Sequence, residues 1–133
     1  MLIDVAKAHA YGNDFLFVPT DQTVEEQRSA LARRMCDRHA GIGADGLVLY
    51  ATTDAGADMT LFNADGGEAE VSGNAVRCLA ALVVRERPGL ANLVVRTAAG
   101  AIPLRVLGRT GQQMTLEALM GTPTGLCQRS LEA

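Results

Sequence analysis

The chain contains 133 residues, which predicts a single domain, because domains typically span about 100–200 residues. Hydrophobic residues make up 48% and charged residues 20% of the sequence, as is typical of a globular protein rather than a disordered one. The formal net charge of −3, without any basic run, argues against nucleic acid or an anionic membrane as a partner. The longest apolar run, Cys78–Val84, is far shorter than the roughly 20 residues that a membrane-spanning helix needs.

Cysteine and histidine usage predicts a reduced protein without a metal site. The three cysteines, Cys36, Cys78 and Cys127, are odd in number and widely and irregularly spaced, which fits neither a disulfide framework nor a metal-binding pair. The two histidines, His9 and His39, are too isolated for a histidine-rich metal site. The N-terminal residues lack the pattern of a secretory signal peptide. We therefore expect a cytoplasmic protein.

The N-terminal part of the sequence alternates short strands with turns and contains one helix. The predicted strands, in chain order, are Leu2–Ala8, Phe15–Val18, Leu47–Tyr50, Met59–Phe62 and Ala69–Val71. The helix is predicted to begin at Thr23, because Thr23 and Glu26 have the spacing of a capping box. It is predicted to end near Arg38 and His39, just before a glycine-rich segment.

A second helix, predicted over Ala75–Val84, is apolar on nearly every side except at Arg77. A helix of this kind is buried rather than laid on a surface. Three more strands are predicted after Pro88 and Gly89, at Leu93–Val95, Ile102–Leu107 and Met114–Leu116. About eight strands and two helices, one of them buried, predict an α+β domain. We expect a curved mixed or antiparallel sheet that wraps around the central apolar helix.

Polar, glycine-rich loops adjoin these elements. The most informative is Ser72–Asn74, because it opens the buried helix, and a helix N-terminus binds carboxylate or phosphate groups through its unpaired N–H groups. Three further loops share its short polar side chains and glycines: Gly12–Asp14, Gly41–Gly46 and Asn63–Gly67. Each of them alone is typical of an ordinary turn, but together they predict a site.

In this order and at these spacings, the motifs resemble the N-terminal half of the diaminopimelate epimerase family. The matching residues are Gly12–Phe15, Arg38–His39, Gly41–Gly46, Phe62–Gly66, Gly73–Asn74, Arg77–Cys78 and Met120–Gly121 with Pro123. The resemblance runs from about residue 2 to residue 123, which is nearly the whole chain.

The resemblance implies an isomerase of two similar halves, each a curved sheet around a central helix, with an amino-acid substrate in the cleft between them. It implies epimerisation of L,L- to meso-diaminopimelate for lysine and peptidoglycan precursor synthesis, without pyridoxal phosphate, another cofactor or a metal. Gly73 and Asn74 would offer backbone N–H groups to the α-carboxylate of the substrate. Asn13 and Asn63 would contact the substrate, and Ser72 occupies the position of the family's catalytic cysteine.

Ser72 is a departure from the family pattern, which has a cysteine before the Gly-Asn pair. An alkyl hydroxyl is far less acidic than a thiol and needs an adjacent base to become a proton acceptor or nucleophile. Cys78 matches the family's other cysteine, but its place inside the helix predicts a core residue. Either a deliberate Cys-to-Ser substitution or a natural change of the site explains the serine.

The second half of the family's fold has no counterpart in this sequence. We predict a family-like domain over residues 1–121 and, over residues 122–133, a tail or the start of a linker to a missing second domain. The lone chain is expected to be inactive, since no group from a second half delivers the proton to the opposite face of the carbon. The alternatives are a non-catalytic carboxylate-binding or assembly module and a proline racemase-type racemase or dehydratase. We also expect a homo-oligomer or a partner half.

Overall fold

A computed structural model describes residues 3–70, 72–119 and 126–132, the last of these by its backbone alone. Nine strands, two α-helices and two 3-10 turns are found in this part of the chain. In chain order they are β1 (Ala6–Ala10), β2 (Asn13–Pro19), the 3-10 turns Thr20–Gln22 and Glu25–Gln27, α1 (Arg28–Cys36), β3 (Gly46–Thr52), β4 (Gly56–Asn63), β5 (Glu68–Ala69), α2 (Gly73–Glu86), β6 (Asn92–Thr97), β7 (Gly100–Thr110), β8 (Gln113–Leu119) and β9 (Leu126–Glu132).

The nine strands form one mixed sheet that curls until its ends meet. The strand order is β3-β2-β1-β9-β8-β7-β6-β4-β5, and β3 also pairs with β4, so that eight strands form a ring. Most neighbours are antiparallel, whereas β2–β3 and β4–β6 are parallel. Helix α2 contacts β1, β2, β4, β6, β8 and β9, so it lies inside the ring. The prediction of an α+β domain with a curved sheet around a central helix is confirmed.

The main core fills the space between α2 and the inner face of the sheet. Nine of the residues of α2 are buried, including Val76, Leu79 and Val83. Phe15 and Phe17 of β2 pack against them, with their ring centroids 6.4 Å apart in an edge-to-face arrangement. Because each buried aliphatic or aromatic side chain contributes about 1.5–3 kcal/mol, α2 anchors the whole domain. Neither helix in the described part of the chain has the length and apolar character needed to cross a membrane.

A second core lies on the outer face of the sheet, beneath α1. Leu16 and Val18 of β2 and Leu47 and Leu49 of β3 pack there, together with Ala32 of α1. Strand β2 is therefore covered on both faces, which explains why its residues 15–18 are continuously apolar instead of alternating.

The start of the first helix was predicted wrongly. The Thr23 hydroxyl does not cap a helix: it donates to the carbonyl of Thr20 at 2.7 Å and accepts from Arg28 Nε at 2.9 Å. The chain forms two 3-10 turns here, and α1 begins only at Arg28. The capping-box spacing is local, whereas these contacts give the threonine hydroxyl other partners.

Strand β9 was not foreseen, since residues 122–133 were predicted to be a tail or linker. Its backbone pairs with β8 over Leu126–Glu132 and with β1 at the His9–Glu132 pair. The proposed boundary at residue 121 and the Met120–Pro123 motif lie outside the described residues, so the boundary stays a prediction.

Candidate functional site

The polar loops meet at one end of the ring of strands. Phe15 near the start of β2 pairs with Gly46 at the start of β3, and Gly46 pairs with Asn63 at the end of β4. Helix α2 begins at the same end, because Asn74 in its first turn is hydrogen-bonded to Asn13 at the start of β2. The sheet register and the central helix therefore bring together loops that are far apart in the sequence.

Ser72 caps the N-terminus of α2. Its backbone is extended (φ −115°, ψ 125°), and its Oγ accepts a hydrogen bond from the Ala75 N–H at 3.3 Å. The first N–H groups of an α-helix lack intrahelical partners and carry a partial positive charge. Gly73 and Asn74 supply such groups next to Ser72, and Gly73 has no side chain to obstruct an approaching ligand.

A shallow depression opens at this helix end. It is lined by Tyr11, Ser72, Gly73, Asn74 and Arg77. Three of the five predicted site residues thus line one surface, and a fourth, Asn13, touches it through Asn74. The wall is rich in donors: backbone N–H groups, an amide and a guanidinium. Such a surface suits a carboxylate better than a cation.

A chain of side-chain hydrogen bonds runs through the site. Arg77 Nη2 donates to Asn74 Oδ1 at 3.0 Å, and Asn74 Nδ2 donates to Asn13 Oδ1 at 2.8 Å. Asn13 Nδ2 in turn donates to Asp45 Oδ2 at 3.3 Å. Arg77 is only 3% exposed, so these hydrogen bonds connect the buried face of α2 with the loop before β3.

The loop before β3 is fixed by ionic and hydrogen-bonding contacts among Arg38, Asp14 and Asp45. Arg38 binds the carboxylate of Asp14 through both terminal nitrogens, at 2.8 and 3.1 Å, and reaches Asp45 Oδ1 at 3.2 Å. Asp14 and Asp45 also exchange hydrogen bonds, since the N–H of each donates to the carboxylate of the other at 2.9–3.0 Å. The hydrogen bond from Arg38 holds the pKa of Asp14 well below its ordinary value, and the same contact raises the pKa of Arg38.

Asn63, the fifth predicted site residue, lies at this end of the sheet but outside the chain of hydrogen bonds. Its N–H donates to the carbonyl of Gly67 at 2.8 Å, and its carbonyl accepts from the N–H of Gly66 at 2.9 Å, which closes the turn. No hydrogen bond joins its side chain to Asn13 or Asn74 within the described residues.

The cysteines with described side chains are buried, and neither lines the depression. Cys78 is fully buried in the main core, and burial raises the pKa of its thiol to about 12. Cys36, the last residue of α1, is also buried, and burial raises the pKa of its thiol to about 11. Neither thiol is ionised near neutral pH, which agrees with the prediction that Cys78 is a core residue. No group of His, Cys, Asp and Glu residues suited to a metal ion occurs in the described part of the chain.

Sequence reasoning did not single out Tyr11, which lines the depression. Tyr11 and Gly12 form the two-residue turn between β1 and β2, both with positive φ (51° and 86°). The two-residue spacing between strands was the available signal, but a tyrosine is not a usual residue for this conformation. The contact of Asp45 with Asn13 was also missed, as were those of Arg38 with Asp14 and Asp45, because they depend on which loops meet in space.

Solved structures with the same architecture define the class of this fold. A predicted epimerase from Pseudomonas aeruginosa superposes with a TM-score of 0.69 at 15% identity, covering 88% of this chain and 42% of that one. A PhzF-family phenazine biosynthesis protein from Bacillus anthracis superposes with a TM-score of 0.66 at 21% identity, covering 87% of this chain and 40% of that one. The fold is that of one half of the epimerase and PhzF class.

Sequence comparison identifies the family within this class. A sequence model of diaminopimelate epimerase matches residues 5–125, and the chain belongs to this family. The diaminopimelate epimerase of Desulforudis audaxviator is 44% identical over 126 residues, which cover 91% of this chain and 44% of that protein. The chain therefore spans less than half the length of this relative.

Proposed function

We propose that this chain forms one half of a diaminopimelate epimerase-type active site and binds the α-carboxylate of an amino acid at the N-terminus of α2. The observation that carries the proposal is the contact between Asn74 Nδ2 and Asn13 Oδ1, because it unites the helix end and the β2 loop in one donor-rich surface. Membership of the epimerase family and the 44% identity to a named diaminopimelate epimerase support the choice of substrate.

The proposed chemistry follows from the charge that an epimerisation develops. Removal of an α-proton shifts negative charge onto the carboxylate, where N–H donors and the helix dipole stabilise it. The Gly73 and Asn74 N–H groups are proposed to do this, with Asn13 as a further contact. Asn63 is proposed to contact a more distant part of the substrate from the neighbouring turn.

Ser72 stands at the position of the family's catalytic cysteine, but the described residues around the depression offer its hydroxyl no activating base. In the described part of the chain, the depression is lined by Tyr11, Ser72, Gly73, Asn74 and Arg77, none of which is a His, a Lys or a carboxylate. Ser72 Oγ already accepts a hydrogen bond from the N–H of Ala75. We therefore propose that the 133-residue chain binds an amino acid without exchanging its α-proton, as a carboxylate-binding module would.

The test is α-proton exchange of L,L- and meso-diaminopimelate in deuterated water, followed by NMR. The wild type, Ser72→Cys and the matched control Ser72→Ala are each assayed alone and with the C-terminal half of the Desulforudis audaxviator relative. We expect exchange only for Ser72→Cys with the added half. Absence of exchange in every combination contradicts the epimerase-type site, and turnover of hydroxyproline instead indicates a proline racemase-type activity.

Binding without turnover is tested by calorimetry on the wild-type chain. A saturable heat with L,L-diaminopimelate in the absence of exchange supports the binding module, whereas no heat contradicts carboxylate binding at α2.

A cover for the open depression is also part of the proposal. Tyr11, which lines the depression, is 62% exposed, and Ile42 in the neighbouring loop is 53% exposed. We expect a partner half or a second copy of the chain to bury them, because exposed apolar groups next to a site favour association. Sedimentation over a wide concentration range tests this, and a strict monomer contradicts self-association.

A further inference from the structure

The hydrogen-bonded chain through the site has a direction. It begins at Arg77, whose guanidinium only donates, and ends at Asp45, whose carboxylate accepts. Between them stand Asn74 and Asn13, whose amides have one accepting and one donating end.

The charged ends select one orientation of both amides. If the Asn74 amide were reversed, its NH2 group would face the guanidinium of Arg77, and two donors would meet. If the Asn13 amide were reversed, its Oδ1 would face the carboxylate of Asp45, and two acceptors would meet. Both arrangements lose a hydrogen bond to a charged group, which is among the stronger hydrogen bonds in proteins.

This orientation determines which atoms remain for a ligand. Both amide oxygens already accept a proton from within the chain of hydrogen bonds, at 3.0 Å for Asn74 and 2.8 Å for Asn13. Each NH2 group uses one of its two N–H bonds to donate within this series of hydrogen bonds, and its second N–H takes no part in the series. Among the described residues, the uncommitted groups of these two amides are therefore N–H donors, as are the backbone N–H groups of the first turn of α2.

Asp45 is itself held in place without touching the depression. Its Oδ1 accepts from Arg38 Nη2 at 3.2 Å, and its Oδ2 accepts from the N–H of Asp14 at 3.0 Å. Asp45 does not line the depression, which is formed by residues 11, 72–74 and 77. Any effect of Asp45 on the ligand acts through Asn13.

Building on the proposed function, we propose that Asp45, held by Arg38 and Asp14, is a positioning residue that orients Asn13 and Asn74 so that the site selects a carboxylate over a carboxamide. A carboxylate presents only acceptors to the uncommitted N–H groups. A carboxamide brings an NH2 group of its own, and the amide oxygens of Asn13 and Asn74 already accept other hydrogen bonds. Asp45 thus sets the specificity of the site through its hydrogen bond to Asn13, without contacting the ligand itself.

The experiment compares affinities for L,L-diaminopimelate and for its bis-α-carboxamide. In Asp45→Asn the new side chain is able to donate as well as accept, so the Asn13 amide is free to reverse. We expect the preference for carboxylate over carboxamide to fall about tenfold. The matched control is Asp65→Asn, which removes a carboxylate from the Asn63–Gly67 turn, where Asp65 Oδ1 accepts from the Gly67 N–H outside the chain of hydrogen bonds.

The sign of the effect separates positioning from simple charge. Removing a negative charge near the site strengthens binding of an anion, so a charge effect alone raises the preference for carboxylate in both variants. A lower preference in Asp45→Asn, with an equal or higher one in Asp65→Asn, supports positioning. An unchanged or higher preference in a folded Asp45→Asn chain overturns the proposal.

A second measurement needs no ligand. The side-chain NH2 signals of Asn13 and Asn74 are followed by ¹⁵N NMR in the free chain. Asp45→Asn should shift both pairs of signals, and Asp65→Asn should shift neither. If no variant binds either ligand, the proposed function fails, and these signals then decide the orientation: coupled shifts support it, and unshifted signals overturn it.

Discussion

The two ends of α2 both open onto depressions in the surface, but they differ in chemistry. At the N-terminal end, Ser72 and the first-turn N–H groups adjoin the Asn13–Asn74 pair. At the C-terminal end, the Arg87 guanidinium donates to the carbonyls of Thr53 and Gly56, each at 2.9 Å, and closes the helix against the β3–β4 turn.

The depression at the C-terminal end has an acidic lining. The depression there is lined by Pro19, Asp21, Tyr50, Ala51, Thr52 and Glu86. Burial first, and the negative charges of Glu86, Asp4 and Asp21 next, raise the pKa of Tyr50. A helix C-terminus adds partial negative charge. The acidic depression therefore disfavours a carboxylate, whereas the donors at the N-terminal end attract one. The candidate site is identified by its hydrogen-bond donors and not by the presence of a depression.

The largest expected effect is on thiol reactivity along α2. A cysteine at the N-terminal cap in Ser72→Cys should have a lowered pKa, because the helix end stabilises a thiolate. Cys78, buried inside the ring of strands with a pKa of about 12, should stay unreactive. We expect iodoacetamide to modify the new thiol at pH 7 at least about a thousandfold faster than Cys78, as measured by peptide mass spectrometry. Comparable rates would show that the N-terminal end is not electropositive.

The next effect is on binding. Asn74→Asp replaces the donating NH2 group by a carboxylate oxygen, which repels an anionic ligand and loses the contact with Asn13. The affinity for L,L-diaminopimelate measured by calorimetry should fall about 10–100-fold. Glu86→Gln, which changes the C-terminal end alone, serves as the control. An equal loss in both variants would remove the distinction between the two ends.

A smaller effect concerns the ion pair between Asp14 and Arg38 near the N-terminal end of α2. Asp14→Asn should lower the free energy of unfolding at pH 7 by about 1–2 kcal/mol, since it removes a partly exposed charge pair with Arg38. The folded-state pKa of Asp14 lies well below its ordinary 3.8, so its stabilising contribution is present above pH 3.8 and is lost as the pH falls through the folded value. Urea unfolding at pH 7 and pH 3 measures this, and a difference between wild type and variant that grows towards pH 3 would contradict it.

The smallest effect is expected at the turn that borders the depression. Tyr11 adopts a φ of 51°, a conformation that asparagine tolerates better, and its side chain is mostly exposed. Tyr11→Asn should raise the free energy of unfolding by about 0.5–1 kcal/mol while weakening ligand binding. A variant that binds as tightly as the wild type would show that Tyr11 takes no part in the site.

The fold was largely predictable from local patterns. The apolar run within α2 and the short strands of β2–β4 and β6–β8 are readable because burial and period are encoded residue by residue. The start of α1 was not predictable, because contacts with Thr20 and Arg28 override the local cap at Thr23. Strand β9 escaped prediction because a short polar segment gains its strand character from pairing with β8.

The site was predictable only in its parts. The loop motifs pointed to Asn13, Ser72, Gly73 and Asn74, but the bond between Asn13 and Asn74 joins residues 61 positions apart. The contacts of Asp14 with Asp45 span 31 positions. Such pairings depend on sheet register and on the path of α2, which spacing along the sequence does not contain.

The most direct test of carboxylate binding at the N-terminal end of α2 is a titration of the ¹⁵N-labelled chain with L,L-diaminopimelate, followed through its amide NMR signals. We predict saturable shifts of the Gly73 and Asn74 backbone signals and of the Asn13 side-chain signals, with Glu86 and Arg87 unaffected. Shifts confined to the surroundings of Tyr50 and Glu86, or none at any concentration, would contradict it.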